Sequence, residues 1–252
     1  MWEIYDALIS TVPEDSIVSA CLAGLSWFLV RSQGVGVAMR PREGAEVVPN
    51  AGRLAGMKTR ELATGIKSWN LYEAALGLAA INSVLNSPDT VRRSCGSLLD
   101  ETSDQDVFAS LLEELRGKRV AVIGHFYNLE RVAAVCNLSI LERRPEPGDF
   151  PDPACEYILP EQDVVIMTAT TLINKTMPRL LELSRNARVV VAGPSTPLTP
   201  ILLERGIDIL GGLMVEDEDR VWKTVGEGGQ HEMFKSGSHM VKVVKSSMVQ
   251  HA

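Results

Sequence analysis

Hydrophobic positions in the first hundred residues predict short strands followed by helices. Apolar runs predict strands at residues 17–23, 26–31 and 35–39, and the turn residues 32–34 favour an antiparallel hairpin between the last two. Residues 71–85 are apolar on almost every face and rich in small side chains, which is typical of a buried helix. Strands followed by helices indicate a small α+β unit.

From residue 106 onward, strand-like and helix-like segments alternate along the chain. Strands are predicted at residues 120–123, 138–141, 163–167, 188–192 and 207–210. Each is a nearly continuous apolar run, and helices are predicted between them, so the strands should form a parallel sheet covered on both faces. The predicted fold class is therefore α/β, with a Rossmann-like second half.

A polar, turn-rich stretch at residues 86–104 separates these two patterns and predicts a domain boundary. We expect a small α+β domain over residues 1–100 and a Rossmann-like domain over residues 105–230. Residues 231–252 are expected to form a C-terminal tail, either mobile or folded over the cleft between the domains. The functional site is expected in that cleft.

Composition narrows the class of protein. The net charge of −7 and the 5% aromatic content disfavour binding to nucleic acids or to anionic membranes. The longest apolar stretch, residues 17–30, is too short to span a bilayer and follows acidic residues, unlike a signal peptide. None of the four cysteines forms a C-x-x-C pair, so reduced thiols and a cytoplasmic protein are expected.

Candidate site residues follow the predicted strands, because ligands of open parallel sheets bind beyond the carboxyl ends of the strands. In the second half these candidates are Gly124, His125, Phe126, Glu142, Thr168, Thr170, Thr171, Asn174, Lys175, Gly193, Pro194 and Ser195. In the first half, Lys67, Trp69 and Asn70 lie between two predicted helices and are expected to face the cleft. The alternative for these three is a helix cap with a packed tryptophan.

The spacing between Gly124 and Glu142 approaches that between the glycine turn and the ribose-binding acid of Rossmann folds. However, Phe126 and Leu129 occupy the positions of the second and third glycines of that motif. This disfavours a pyrophosphate, and with it a dinucleotide oxidoreductase. A mononucleotide, S-adenosylmethionine or another heterocycle stays open, and so does the alternative that Glu142 merely pairs with a nearby arginine.

His125 is the candidate metal ligand or proton carrier, since it follows Gly124 at the mouth of the sheet. The structural alternative is a histidine that bonds to backbone at a crowded turn. Further metal ligands would be Glu142, Cys155 or a histidine of the tail, and no spacing selects among them. The threonine-rich turn and Ser195 either cap helices or hold an anion with free backbone N–H groups, to which Lys175 would add positive charge.

At these residues the sequence resembles a family described as "putative heavy-metal chelation". The matching segments are KSWN (67–70), EAALGLAAIN (73–82), IGHF (123–126), LER (141–143), PGD (147–149), TATTLINKT (168–176), GPSTPL (193–198) and GG (211–212). The resemblance covers roughly residues 1–230. It implies an enolase-N-terminal-like domain joined to a Rossmann-like domain, with a site between them for a metal chelate or a modified heterocycle.

Two functions follow from these observations. The first is binding of a small anionic or heterocyclic ligand, such as a metal chelate, for the handling of heavy metals. The alternative is an S-adenosylmethionine- or nucleotide-dependent transferase or lyase acting on such a compound, so whether the protein is an enzyme stays open. The candidate cofactors are a transition metal and an adenosine-containing ligand. The expected partner is a small molecule, and a homodimer is one candidate for the oligomeric state.

Overall fold

The computed structural model describes residues 2–42, 47–101, 107–127 and 129–245. These residues form a three-stranded antiparallel sheet and an eight-stranded, mostly parallel sheet, both packed with helices. The predicted α/β fold class is confirmed. Within the described ranges, no helix combines the length and the apolar character that crossing a membrane requires.

The small sheet lies in the N-terminal third of the chain. Its strands are β1 (Ala20–Ala23), β2 (Trp27–Arg31) and β3 (Val35–Met39), and both pairs are antiparallel. This confirms the predicted hairpin. The accompanying helices are α1 (Glu3–Ser10), α2 (Thr59–Thr64) and α3 (Leu71–Leu85).

Helix α3 is the centre of the N-terminal unit, and the predicted buried helix is confirmed with its bounds. Thirteen of its fifteen residues are buried. A Cβ atom on Gly77 would lie 2.2 Å from the backbone nitrogen of Ile66, and one on Gly36 would lie 2.0 Å from the carbonyl oxygen of Ala79. Glycine at both positions therefore lets the helix approach strand β3 and the segment after α2 at backbone contact.

Seven of the eight strands of the large sheet run in the same direction, and one runs opposite to them. Its strands are β4 (Leu99–Asp100), β5 (Arg119–Ile123), β6 (Asn137–Glu142), β7 (Phe150–Pro151), β8 (Val164–Thr168), β9 (Arg188–Ala192), β10 (Ile209–Val215) and β11 (Ser238–Val244). The spatial order is β4-β11-β10-β9-β8-β5-β6-β7, and β11 runs antiparallel to both of its neighbours. The remaining helices are α4 (Pro88–Cys95), α5 (Val107–Leu115), α6 (Leu129–Ala133), α7 (Cys155–Ile158), α8 (Thr170–Ile173), α9 (Met177–Leu183), α10 (Pro200–Leu203) and α11 (Glu218–Gly226).

The two faces of the large sheet pack against different partners. Val120 and Val122 of β5 belong to a cluster with helix α5. Ala121 and Ile123, which point to the opposite face, belong to a continuous cluster that also contains helix α3. The N-terminal unit and the large sheet therefore share one hydrophobic core.

Two segments near the predicted domain boundaries contain secondary structure that was not expected. The polar, turn-rich stretch 86–104 includes helix α4, which begins at Pro88 after Ser87, as proline at a first helical position favours. Residues 102–106 lie outside the described part. The expected tail contributes strand β11 in its first half, and residues 246–252 lie outside the described part.

The fifth predicted parallel strand was expected to stop at Gly211-Gly212, whereas β10 runs through both glycines. A Cβ atom on Gly211 would lie 2.3 Å from Cγ2 of Val107, and one on Gly212 would lie 2.8 Å from the carbonyl oxygen of Thr196. These glycines therefore permit close packing inside a buried strand and do not form a turn.

Candidate functional site

The turns that follow strands β5, β8 and β9 meet at the carboxyl edge of the large sheet. Gly124 and Gly193 both have positive φ, +97° and +113°, which favours glycine. A Cβ atom on Gly124 would lie 3.0 Å from Cγ2 of Thr168, and one on Gly193 would lie 3.9 Å from the ring of Phe126. Four of the predicted site residues are thus brought together.

One of these turns is open to solvent. In residues 125–127, which we call the open turn, His125 and Tyr127 are exposed and Phe126 is half-buried. The ring of Phe126 packs against Phe108 of helix α5, with ring centroids 4.9 Å apart. The aromatic side chain that replaces the second glycine of the dinucleotide motif is therefore a packing residue, and its neighbours stay accessible.

His125 is held by a buried carboxylate. Its Nε2 lies 2.7 Å from Oδ2 of Asp149, whose side chain is only 6% exposed, whereas the histidine side chain is 38% exposed. Asp149 was quoted in the sequence only as part of the PGD segment and was missed as a site residue. Its proximity to His125 could not be predicted, because the sequence alone does not determine the conformation of the loop that carries Asp149.

Glu142 ends strand β6 beside the open turn, as the βαβ pattern predicted. The N–H of Gly124 donates to the carbonyl of Leu141 at 3.0 Å. One carboxylate oxygen of Glu142 accepts from the N–H of Arg143 at 3.0 Å. The side chain of Arg143 itself pairs with Asp152, with Nε and Oδ2 2.9 Å apart. The side chain of Arg143 therefore forms its ion pair with Asp152 and not with Glu142.

In the threonine-rich turn after β8, two of the backbone N–H groups that could hold an anion already have partners. The N–H of Ala169 donates to the carbonyl of Ala192 at 3.3 Å, and that of Thr170 donates to Oγ1 of Thr168 at 3.3 Å. Thr171 is buried and its hydroxyl donates to the carbonyl of Thr168. These backbone and side-chain groups are thus engaged in hydrogen bonds within the protein. Of the three threonines of this turn, the partly exposed Thr168 and Thr170 border the edge of the sheet.

Ser195 lies in the interface between the N-terminal unit and the large sheet, and is 3% exposed. Its Oγ accepts the N–H of Met39 at 2.8 Å. Asn82 of helix α3 donates through Nδ2 to the carbonyls of Val37 (2.9 Å) and Ser195 (3.0 Å). The polar groups of Ser195, which predicted an anion site here, therefore bond the N-terminal unit to the large sheet. Gly193 and Pro194 stay half-exposed.

Asn86 completes this interface. Its Nδ2 donates to the carbonyls of Thr196 (2.9 Å) and Leu213 (3.2 Å), and its Oδ1 accepts the N–H of Leu198 at 2.8 Å. Every polar group of this amide is thus used, in a residue only 3% exposed. We call residues 195–198 the buried turn.

Lys175 forms a second tie between the two parts. It is 5% exposed, and its Nζ donates to the carbonyls of Ser68 and Ile173. Burial lowers its pKa to about 8, and the nearby Glu73 opposes this change. The preceding residue, Asn174, accepts from the N–H and hydroxyl of Thr176 through Oδ1. Lys175 thus joins the N-terminal unit to the large sheet, and Asn174 stabilises the turn that carries Lys175.

The KSWN segment lies against Lys175 and not in the open turn. Asn70 caps helix α3 by accepting the N–H of Tyr72 at 3.0 Å, which matches the structural alternative. Trp69 is 69% exposed, with its ring 5.8 Å from Nζ of Lys175. Lys67 pairs with Asp6 at the surface.

Two further features of the region were missed from the sequence. Arg40, directly after strand β3, stacks over Tyr72 at 5.4 Å and donates to its hydroxyl at 3.1 Å. The hydroxyl of Tyr127 lies 2.8 Å from Nε2 of His231. No local signal marks either contact, because each joins residues that are far apart in the chain.

The described residues contain no cluster of three or more His, Cys, Asp or Glu side chains placed to hold a metal ion. Burial raises the pKa of Cys21 to about 11 and that of Cys155 to about 12, and it also raises the pKa of Cys95 and Cys136. All four thiols are free. Because thiolates are the ligands that soft metals prefer, the described donors do not fit a resident heavy-metal ion.

Comparison with known families assigns the chain. A family model described as "Putative heavy-metal chelation" (DUF364) matches residues 106–244, and a second model with the same description (DUF4213) matches residues 5–85. The first match covers more than half of the chain. The chain belongs to this family. The similarity of the N-terminal and C-terminal parts to two models of the same description agrees with the shared core.

Similar proteins of this family have been described from several organisms. A crystal structure of a DUF364 protein with unknown function from Desulfitobacterium hafniense is 42% identical, with a TM-score of 0.90 over 97% of this chain and 99% of that one. A second, from Pyrococcus horikoshii, is 23% identical with a TM-score of 0.77 over 96% of this chain and 98% of that one, and shows the fold alone. An uncharacterized protein of Methanocaldococcus jannaschii is 27% identical over 180 residues, which are 68% of this chain and 66% of that protein.

Proposed function

We propose that the protein binds a small anionic or heterocyclic ligand, with a metal chelate as one candidate, at the carboxyl edge of the large sheet. The observation that carries this proposal is the close approach of Gly124 to Thr168 and of Phe126, in the open turn, to Gly193. The ends of strands β5, β8 and β9 thereby border one solvent-accessible region. The interface between the N-terminal unit and the large sheet lies beside this region. Small-molecule sites of open parallel sheets commonly lie at such an edge.

Charge supports an anionic ligand. Arg40 follows Met39, whose N–H donates to Ser195, and the guanidinium of Arg40 donates to the neutral hydroxyl of Tyr72. Among the described carboxylates, none pairs with Arg40. A guanidinium without a compensating acid is suited to a carboxylate or phosphate of a ligand.

The family description supports a role in the handling of heavy metals. Since the described residues do not fit a resident ion, such a role requires a ligand molecule that carries the metal or will come to carry it.

A second candidate, an adenosine-containing ligand for a transferase or lyase reaction, rests on Glu142. The carboxylate lies at the second strand's end, next to the residue whose carbonyl binds Gly124. Its backbone contact to Arg143 leaves acceptor capacity for the two hydroxyls of a ribose. Of the two arginines that were the rival explanation, Arg143 and Arg144, the first pairs with Asp152.

Native mass spectrometry of the purified protein, followed by calorimetry, tests the two candidates. The probes are nitrilotriacetate as a metal-free anion, and adenosine, S-adenosylmethionine and S-adenosylhomocysteine as heterocycles. Arg40→Gln should weaken nitrilotriacetate at least tenfold, and Arg53→Gln, at an exposed site on the same unit, serves as the matched control. Glu142→Gln should weaken only the adenosine compounds.

The outcomes separate the candidates. Binding of nitrilotriacetate that depends on Arg40 supports the anion site. Binding of adenosine compounds that depends on Glu142 supports the nucleoside site. If none of the probes binds and no small molecule is retained, the proposal fails.

A further inference from the structure

The family description names metal chelation, yet the donors among the described residues are too few and too scattered to chelate. The described residues contain no group of three suitable side chains. The four thiols are unpaired, and two of them are buried. What the candidate site does offer is the imidazole of His125, held by Asp149, while the second imidazole beside the open turn, that of His231, bonds to Tyr127.

This imidazole is held as a metal-binding histidine usually is. Asp149 lies in a tight turn in which its N–H donates to the carbonyl of Glu146 at 2.9 Å and its Oδ2 accepts the N–H of Glu146 at 2.8 Å. Pro147 and Gly148, with φ of +105°, occupy the central positions that such a turn favours. The buried carboxylate is therefore fixed before it meets the histidine.

The hydrogen bond also fixes which ring nitrogen is free. A carboxylate accepts and does not donate, so Nε2 of His125 carries the hydrogen that Asp149 accepts at 2.7 Å. In the neutral ring this leaves the lone pair on Nδ1, and no described residue bonds to that nitrogen. A carboxylate that bonds to the other ring nitrogen and orients the ring commonly accompanies metal-ligating histidines.

We propose that the protein takes a heavy metal only as a preformed complex with a small organic chelator, to which Nδ1 of His125 adds one ligand. This inference rests on the proposed function and identifies the class of its ligand. The chelator supplies the remaining ligands, which explains how one imidazole suffices. Its carboxylates would meet Arg40 and the strand-end turns, which a bare ion could not use. Imidazole suits nickel, copper and zinc.

The test compares nickel nitrilotriacetate, nitrilotriacetate alone and aqueous Ni²⁺ by calorimetry on the full chain. We expect the nickel chelate to bind at one site per chain. Its affinity should be at least tenfold higher than that of nitrilotriacetate alone or of aqueous Ni²⁺. His125→Asn should weaken the chelate at least tenfold, and Asp149→Asn by about tenfold through loss of ring orientation. His239→Asn, on strand β11, is the matched control and should change nothing.

Spectroscopy provides a readout that a merely structural role of His125 would not move. With the copper(II) chelate of nitrilotriacetate, pulsed electron paramagnetic resonance should show the remote nitrogen of a coordinated imidazole. This signal should be present in the wild type and in His239→Asn and absent in His125→Asn. Unfolding of each variant by urea shows that it is folded.

The outcomes distinguish this inference from the proposed function. If the metal-free probes bind and the nickel chelate gains nothing from the metal, only this inference fails. Aqueous Ni²⁺ that binds one site as tightly as the chelate would overturn it too, since the chain would then hold the ion by itself. If neither the chelate nor any metal-free probe binds, the proposed function fails with it.

Discussion

The open turn and the buried turn are both polar segments at the carboxyl edge of one sheet, yet they have different environments. In the buried turn, Asn82 and Asn86 donate hydrogen bonds to backbone carbonyls, and the N–H of Met39 donates to Ser195. In the open turn, His125 meets one buried acid and keeps a free nitrogen. Position at a strand end therefore makes a residue a candidate for ligand binding. Whether its polar groups are free for a ligand depends on whether the N-terminal unit packs against them.

The largest expected effect is on the buried turn. Asn86→Ala should lower the free energy of unfolding by about 3–5 kcal/mol, because it leaves three buried backbone groups without partners, each costing about 1–3 kcal/mol. Urea unfolding would measure this loss, with Asn186→Ala at an exposed site as control. A loss below about 1 kcal/mol would mean that water can replace the amide and that the turn is not sealed.

Lys175 sharpens the comparison because it is a buried cation at the same interface. Its pKa in the folded protein, about 8, lies below the ordinary value of 10.5. Between these values the unfolded chain binds the additional proton, so this residue's contribution to stability increases as the pH rises from 8 to 10.5.

The corresponding measurement is the difference in unfolding free energy between wild type and Lys175→Met. Over that pH range the wild type should gain about 1–3 kcal/mol relative to the variant, and below pH 8 the difference should be constant. A difference that stays flat across the range would show that the two carbonyls hold the ammonium fully charged.

Ser195→Ala should lower the free energy of unfolding by about 1–2 kcal/mol, since the N–H of Met39 loses its acceptor, the hydroxyl of the buried Ser195. The affinity for nitrilotriacetate should change less than twofold. A large loss of affinity with unchanged stability would instead return Ser195 to the site, as the sequence predicted.

The smallest effect on stability is expected in the open turn. His125→Asn should change the unfolding free energy by about 1 kcal/mol or less, because the ring is partly exposed and packs little. Thermal unfolding would check this, next to the binding measurements described above. A larger loss would support a structural role, in which the histidine stabilises the fold through its hydrogen bond to Asp149.

The sequence predicted best those elements whose apolar pattern is continuous. Strands β3 and β9 and helix α3 have the expected bounds, because a segment buried on nearly all sides is apolar throughout. Strand β10 was cut short since glycine is a turn signal in sequence, whereas here Gly211 and Gly212 serve close packing.

The site was less predictable because contacts between distant residues determine it. Gly124, Phe126, Thr168 and Gly193 come together as the parallel sheet requires. The fate of Ser195, however, depends on Asn82 and on Met39, and that of Lys175 depends on the Ser68 carbonyl. No spacing in the chain encodes these contacts, and the same holds for the buried carboxylate behind His125.

Strand β11 has a consequence for how the chain is made. It comes from the C-terminal part of the sequence, and it lies between β10 and β4, pairing Lys242 with Asp100. During synthesis, β10 emerges with an apolar, unpaired edge and must wait for residues 238–244 to cover it. Unpaired strand edges promote association between chains. A ribosome that stalls shortly before this strand would therefore release an aggregation-prone product, although almost all of the core had already been translated.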